Sequence, residues 1–115
     1  MNRLEGKVAI ITGGNSGVGA ATAEKFAKEG AKVVITARRE AQLEEVAVKI
    51  REMGGEVLPI CSDISKVEDA KRVVAETLAA FGKIDILINN CLFKSNHLWS
   101  IIFINFWCKH IINTS

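Results

Sequence analysis

The chain has 115 residues, a formal net charge of +2 and 49% hydrophobic residues. Its length is typical of one domain, and its small net charge gives no electrostatic reason to expect binding to nucleic acid or to a membrane surface. The longest apolar stretch, residues 98–108, is too short to span a bilayer. The three cysteines are odd in number and widely spaced, which argues against a disulfide framework or a zinc site and favours reduced thiols in a cytoplasmic protein.

A glycine-rich turn follows the first predicted strand, residues 7–12, whose centre is apolar. Gly13, Gly17 and Gly19 separate this strand from a run of good helix formers. Glycines at such a junction allow a tight turn, a close approach of the backbone to a pyrophosphate and close packing of the helix on the sheet. The helix N-terminus adds unpaired N–H groups and a partial positive charge. The turn therefore predicts a phosphate-binding site.

After the turn, predicted helices and strands alternate as far as residue 89. Helices are expected at residues 17–29, at 39–53 and from 65 or 66 to 81, and strands at 32–37, 56–61 and 84–89. Repeated alternation argues for parallel strands with right-handed crossovers, and near-continuous apolar strands argue for a sheet covered on both faces. We therefore predict an α/β fold, a Rossmann-type doubly wound parallel sheet of strand order 3-2-1-4. A ligand is expected above the glycine turn, between the first and fourth strands.

Each predicted helix carries apolar residues at helical spacing. In the first helix, the residues expected to face the sheet are Val18, Ala21, Phe26 and the nearby alanines. The apolar face of the second helix consists of Leu43, Val46, Ala47, Ile50 and Met53. That of the third helix consists of Ala70, Val73, Val74, Thr77, Leu78 and Phe81. Gly82 is expected to end the third helix, and Cys61 is expected to pack at the end of the third strand.

Three motifs resemble those of the short-chain dehydrogenase/reductase family, in consistent order over residues 5–91. They are the turn Thr12-Gly13-x-x-x-Gly17-x-Gly19, Asp63-Ile64 after the third strand, and Asn89-Asn90 at the end of the fourth. The resemblance implies a nicotinamide cofactor, with Asp63 contacting the adenine ring and Asn90 contacting the cofactor or bracing the sheet. From the residues alone, Asp63 could instead cap a helix, and Asn90 could simply end a strand.

The end of the second strand distinguishes the two nicotinamide cofactors. An acidic residue there would bind a ribose 2′-hydroxyl and repel a 2′-phosphate, but this chain has Ala37 followed by Arg38 and Arg39. Because arginine forks match phosphate geometry, the sequence favours NADP(H) over NAD(H), with Arg38 as the direct contact. The alternative is a solvated basic pair at the start of a helix.

The predicted cofactor contacts lie in the glycine turn and at the ends of the later strands. Asn15 and Ser16 would hydrogen-bond the phosphates, although both residue types favour turns in any case. The full set is Gly13, Asn15, Ser16, Gly17, Val18, Gly19, Arg38, Asp63, Ile64 and Asn90. No residue is assigned as catalytic or as a metal ligand.

The chain also departs from the pattern of the family that it resembles. Cys91-Leu92 occupies the place of the family's Ala-Gly, and the chain contains no tyrosine, so the family's catalytic Tyr-x-x-x-Lys is missing. Residues 92–115 contain no Gly, Ala, Val, Asp, Glu or Arg. We therefore expect a truncated fold, with a dinucleotide-binding unit over residues 1–91 and an atypical apolar tail over residues 92–115.

The function that the resemblance implies is that of the NADP(H)-binding portion of an oxidoreductase, which moves hydride between nicotinamide and a carbonyl or alcohol. Without the tyrosine and lysine, we expect little or no dehydrogenase activity from this chain alone. One alternative is a non-catalytic nucleotide-binding or interaction module, which self-associates or pairs with a full-length relative. Another is a gene fragment that does not fold stably, because an apolar edge strand invites aggregation.

Overall fold

The computed structural model of the chain describes residues 3–13, 17–63 and 66–89, in which strands and helices alternate. The strands are β1 (Val8–Thr12), β2 (Lys32–Ala37), β3 (Glu56–Cys61) and β4 (Ile86–Asn89). The helices are α1 (Gly17–Lys28), α2 (Glu40–Glu52) and α3 (Val67–Phe81). All seven predicted elements are therefore confirmed, with β4 beginning two residues later than expected.

The four strands form one parallel sheet of order β3-β2-β1-β4, as predicted. β1 is buried along its whole length, because it has a strand on each side and helices above and below. Thr12 lies opposite Thr36 of β2 and Asn89 of β4, and Ala37 lies opposite Cys61 of β3. The four strands thus finish side by side, at what we call the carboxyl end of the sheet; the opposite side is the amino end.

An apolar cluster covers each face of the sheet. On one face, Ile11 of β1 belongs to a buried cluster with Leu43 and Ile50 of α2 and with alanines of α1. On the other, Ile10 belongs to a cluster with Val73 and other residues of α3. Adjacent residues of β1 serve opposite clusters because side chains alternate along a strand. Full burial of each such large side chain contributes about 1.5–3 kcal/mol to the free energy of unfolding.

The face that α1 turns to the sheet differs from the prediction. Val18 is 72% exposed and Ala21 is also exposed, whereas Phe26 packs partly buried against the core as expected. The buried residues of α1 are spaced four apart and consist of Gly19, Ala23 and Ala27, of which the two alanines belong to the predicted face. Because residues four apart lie on the same side of a helix, this stripe of small residues makes the contact and leaves Val18 on the first turn in contact with solvent.

The other helices bury the predicted faces with one exception. Met53 is 40% exposed, because it is the C-cap of α2 and lies beyond the last helical turn. α3 ends at Gly82 as predicted, with the Gly82 N–H donating to the Leu78 carbonyl at 2.8 Å.

Cys61 is exposed rather than packed, since it is the last residue of the outermost strand β3. None of the helices in the described ranges is long and apolar enough to cross a membrane.

A carboxylate joins β1 to β4 at the amino end of the sheet. Asp85 Oδ2 accepts a hydrogen bond from the Val8 N–H at 2.8 Å, and the Asp85 N–H donates to the Val8 carbonyl, also at 2.8 Å. The Val8 N–H, followed by Lys83 Nζ at 3.2 Å from Oδ2, lowers the pKa of Asp85 below its ordinary value. The ionised form of Asp85 therefore stabilises this junction.

A second carboxylate at the amino end holds the segment before β1. Glu29 Oε2 accepts from the Arg3 N–H at 3.3 Å, and the Glu29 carbonyl accepts from the Leu4 N–H at 2.8 Å. The Arg3 N–H contributes most to lowering the pKa of Glu29, and Lys25 Nζ at 3.5 Å from Oε1 adds to it. The carboxylates of Asp85 and Glu29 are thus both engaged within the fold.

Candidate functional site

The candidate site lies at the carboxyl end of the sheet, between β1 and β4. From β1 the chain passes through α1 to β2 on one side, while β4 lies on the other side of β1. In open parallel sheets, ligands bind at the carboxyl ends of the strands where the strand order reverses in this way. Gly13 follows β1, Arg38 follows β2 and Asp63 follows shortly after β3. The fold therefore brings these three predicted contacts to one end of the sheet.

Two glycines of the motif have a backbone conformation that other residues adopt only at a cost. Gly13 and Gly17 have φ angles of 67° and 55°, in the left-handed region that side chains disfavour. The Gly13 N–H donates to the Thr36 carbonyl of β2 at 2.9 Å, which fixes where the chain leaves the sheet. A Cβ added at Gly17 would meet nothing within 4 Å among the described residues. The constraint that they place on Gly17 is thus conformational rather than steric.

The first turn of α1 suits an anion. α1 begins at Gly17 and has no acidic residue in its first turn, so no carboxylate competes for the unpaired N–H groups and the positive end of the helix dipole. Gly19 is buried, as close packing of α1 on the sheet requires, and Val18 points into solvent. Asn15 and Ser16 lie outside the described residues.

The end of β2 presents arginine without a carboxylate partner. Arg38 is exposed directly after the buried Ala37 and forms no ion pair with a carboxylate within the described ranges. Its backbone is held in place, because its carbonyl accepts a hydrogen bond from Cys61 Sγ at 3.5 Å. Arg39 is the N-cap of α2 and makes no side-chain capping bond. Arg38 therefore offers a guanidinium to an incoming anion.

Buried hydroxyl groups, which the sequence prediction missed, form hydrogen bonds between neighbouring strands at the carboxyl end of the sheet. The Thr36 and Ser62 hydroxyls hydrogen-bond each other between β2 and the residue after β3, and the two residues are 1% and 5% exposed. Thr12 Oγ1, fully buried, lies 3.4 Å from the Ile88 carbonyl and so joins β1 to β4. The sequence signal for these contacts is a hydroxyl residue at or next to the end of an otherwise apolar strand.

The junction between β3 and α3 fixes the backbone of Asp63. The Asp63 N–H donates to Asp69 Oδ2 at 2.7 Å, and the Asp63 carbonyl accepts from the Lys66 N–H at 2.9 Å. The N-cap of α3 is Lys66, so Asp63 belongs to the turn that precedes the helix.

Ile64 and Asn90 lie outside the described residues. The described ranges contain no group of three or more His, Cys, Asp or Glu residues that could hold a metal ion.

This arrangement, a glycine turn at a helix start above a parallel sheet, matches known proteins in both sequence and structure. The family model described as short chain dehydrogenase matches residues 7–99. The chain belongs to the short-chain dehydrogenase/reductase family. The chain is 43% identical, over 115 residues, to 11-beta-hydroxysteroid dehydrogenase-like 2 of Arabidopsis thaliana; this comparison covers 90% of the chain and 37% of that relative's length.

Solved structures of the family share the fold. Apo glucose dehydrogenase of Caenorhabditis elegans superposes with a TM-score of 0.87 at 36% identity, covering 97% of this chain and 52% of that one. A metagenomic short-chain oxidoreductase in complex with NADP superposes with a TM-score of 0.75 at 39% identity, covering 78% of this chain and 41% of that one. The chain thus has the Rossmann-like fold of this oxidoreductase family and spans about half or less of the length of these relatives.

Proposed function

We propose that the chain binds NADP(H), in preference to NAD(H), at the carboxyl end of its sheet. The observation that carries the proposal is the pairing of the glycine turn at the start of α1 with an exposed Arg38 that has no carboxylate partner in the described ranges. One feature suits a pyrophosphate and the other a 2′-phosphate. The NADP complex of a relative with the same fold supports this cofactor.

Each predicted contact has a role in this proposal. The turn residues would hold the pyrophosphate through backbone N–H groups, and this set comprises Gly13, Asn15, Ser16, Gly17, Val18 and Gly19. Arg38 would bind the 2′-phosphate, Asp63 and Ile64 would line the adenine pocket, and Asn90 would contact the nicotinamide half or brace the sheet. When bound, NADPH supplies a hydride for transfer to a carbonyl.

A comparison of two arginines tests the cofactor preference. By calorimetric titration, the chain should bind NADP⁺ at least about tenfold more tightly than NAD⁺, because a charge-assisted phosphate contact contributes roughly 1.5–3 kcal/mol. Arg38→Ala should remove the preference, whereas Arg39→Ala, which removes an equal charge one residue further on, should leave most of it. Equal affinities in the unmodified chain, or a loss that follows Arg39 instead, would contradict the proposal.

We propose further that the 115-residue chain alone does not catalyse reduction. It contains no tyrosine, so bound NADPH would have no phenol positioned to donate a proton to the carbonyl oxygen. Oxidation of NADPH in the presence of a carbonyl panel should stay at the rate without protein. Turnover at rates typical of enzymes, about 1–1000 per second, would show that another group supplies the proton.

The missing tyrosine also favours a second candidate, a catalytically silent module that binds nucleotide and pairs with itself or with a full-length relative. This candidate shares the binding prediction and differs in requiring assembly. Sedimentation of the chain with and without NADP⁺ would separate the two, since only the module should form dimers or mixed complexes. An unstable fragment would instead show no cooperative thermal transition with or without nucleotide.

A further inference from the structure

The segment that connects β3 to α3 is held from two sides. From β2, the Ala37 carbonyl accepts from the Ser62 N–H at 2.9 Å, and the Thr36 hydroxyl bonds the Ser62 hydroxyl. From α3, Arg72 Nη2 donates to the Cys61 carbonyl at 2.8 Å, and Asp69 Oδ2 accepts from the Asp63 N–H at 2.7 Å. Each of residues 61, 62 and 63 is thus hydrogen-bonded to β2 or to α3.

Asp69 contacts Asp63, the residue of this segment that is proposed to bind the adenine. Its side chain is 28% exposed and reaches back beyond the N-cap residue Lys66 to the Asp63 N–H. An ordinary capping interaction at this position of a helix would bond the N-cap N–H instead. Because the Lys66 N–H donates to the Asp63 carbonyl, both backbone polar groups of Asp63 are engaged before any ligand is present.

We infer that Asp69 is a positioning residue for nucleotide binding, which holds the backbone of Asp63 so that the Asp63 carboxylate meets the adenine. The inference rests on the proposed function, in which Asp63 contacts that ring. A carboxylate that must hydrogen-bond a planar base needs a defined direction, and ordering its backbone in advance reduces the entropic cost of binding. Asp69 touches neither the nucleotide nor a reacting atom.

A purely structural role for Asp69 makes a different prediction. An acidic residue in the first turn of α3 also interacts favourably with the helix dipole. Loss of that interaction would lower the stability of α3 without changing how the folded protein holds adenine. Glu68, an exposed acid one residue earlier in the same turn, shares the dipole interaction. Within the described residues, Asp69 and Arg72 of α3 bond residues 61–63 and Glu68 does not, so Glu68→Ala is the matched control.

The experiment is a double-mutant cycle on the affinity for 2′,5′-ADP, the adenosine half of NADP. Asp69→Ala should weaken binding about three- to tenfold in the otherwise unmodified chain and have no further effect in an Asp63→Ala background. Asp69→Asn, whose amide oxygen still accepts a hydrogen bond, should retain affinity within about twofold. Glu68→Ala should bind as the unmodified chain does. Asp69→Ser, which keeps a polar helix start but is too short to reach Asp63, replaces the alanine variant if that variant does not fold.

The outcomes separate this inference from the proposed function. Failure of the unmodified chain to bind either 2′,5′-ADP or NADP⁺ overturns the proposed function and the inference with it. Binding by the unmodified chain, together with equal effects of Asp69→Ala with and without Asp63, overturns the inference alone. A loss in Asp69→Asn as large as that in the alanine variant also overturns it, because charge rather than the hydrogen bond would then be responsible.

Discussion

The two ends of the sheet are stabilised by different chemistry. At the amino end, Asp85 and Glu29 are ionised carboxylates that accept backbone N–H groups and lie near lysines. At the carboxyl end, glycines and neutral hydroxyls shape the backbone and Asp69 and Arg72 of α3 hold residues 61–63. Arg38 at this end has no carboxylate partner in the described ranges. The difference teaches that the charges of Asp85 and Glu29 are used within the fold, whereas the guanidinium of Arg38 has no carboxylate beside it in the described ranges and is the charge that we propose for a ligand.

The largest expected effect comes from the glycine turn. Gly13→Val should weaken NADP⁺ binding by up to roughly 30-fold, because the turn of the free variant relaxes away from a φ of 67° and its return to that conformation on binding costs about 2 kcal/mol. Gly13→Asn is the matched variant, since asparagine tolerates the left-handed region far better. Titration calorimetry on both would measure the difference. Equal losses in the two variants would show that side-chain bulk, rather than backbone conformation, is what the turn excludes.

The buried hydroxyl pair should give the next largest effect, on stability. Ser62→Ala leaves the Thr36 hydroxyl buried without its partner and should lower the free energy of unfolding by about 1–3 kcal/mol. Thr36→Val combined with Ser62→Ala removes both groups and should recover much of that loss. Urea denaturation of the three proteins checks this. A double variant as unstable as the sum of the single changes would mean that the hydroxyls do not act as a pair.

The smallest effect, and the one that depends on pH, belongs to the amino end. The pKa values of Asp85 and Glu29 are lowered in the folded chain, chiefly by the Val8 and Arg3 N–H groups. Their stabilisation is therefore fully present above the ordinary carboxyl pKa of about 4 and is lost as pH falls through the lowered values. Asp85→Asn should cost about 1 kcal/mol at pH 7, since solvent screens this exposed carboxylate, and progressively less below pH 4.

Thermal unfolding of the unmodified chain and of Asp85→Asn at pH 7, 5 and 3 measures that effect. The two melting temperatures should converge as the pH falls. Protonation neutralises the Asp85 carboxylate in the unmodified chain, and the substitution has already removed that negative charge in the variant. A constant gap across the range would show that the Asp85 charge contributes nothing. Variants at Ser62 serve as the control, since loss of a neutral hydrogen bond should not depend on pH in this range.

The sequence predicts the elements and the strand order well because both follow from local patterns. Apolar runs, helical spacing and the glycine turn are read within about fifteen residues, and each led to an element that the structure confirms. The position of the glycine turn is equally local. The contacts of the proposed site remain predictions, and four of their residues lie outside the described ranges.

The hydrogen bonds that hold the backbone around the site could not be predicted from local sequence patterns. The Thr36–Ser62 pair joins residues 26 positions apart and exists only because β2 and β3 align in one register. The bond from Asp69 to Asp63 depends on how the turn before α3 folds back. Val18 was expected in the core because it is apolar, but the stripe of small residues on α1 determines the contact with the sheet.

The exposure of Val18 has a thermodynamic consequence. A side chain that is 72% exposed at the first turn of α1 keeps apolar surface hydrated. A nucleotide lying across that turn would release this water, and burial of apolar surface gives binding a negative heat-capacity change. Val18→Ser should therefore make the binding enthalpy of NADP⁺ vary less steeply with temperature.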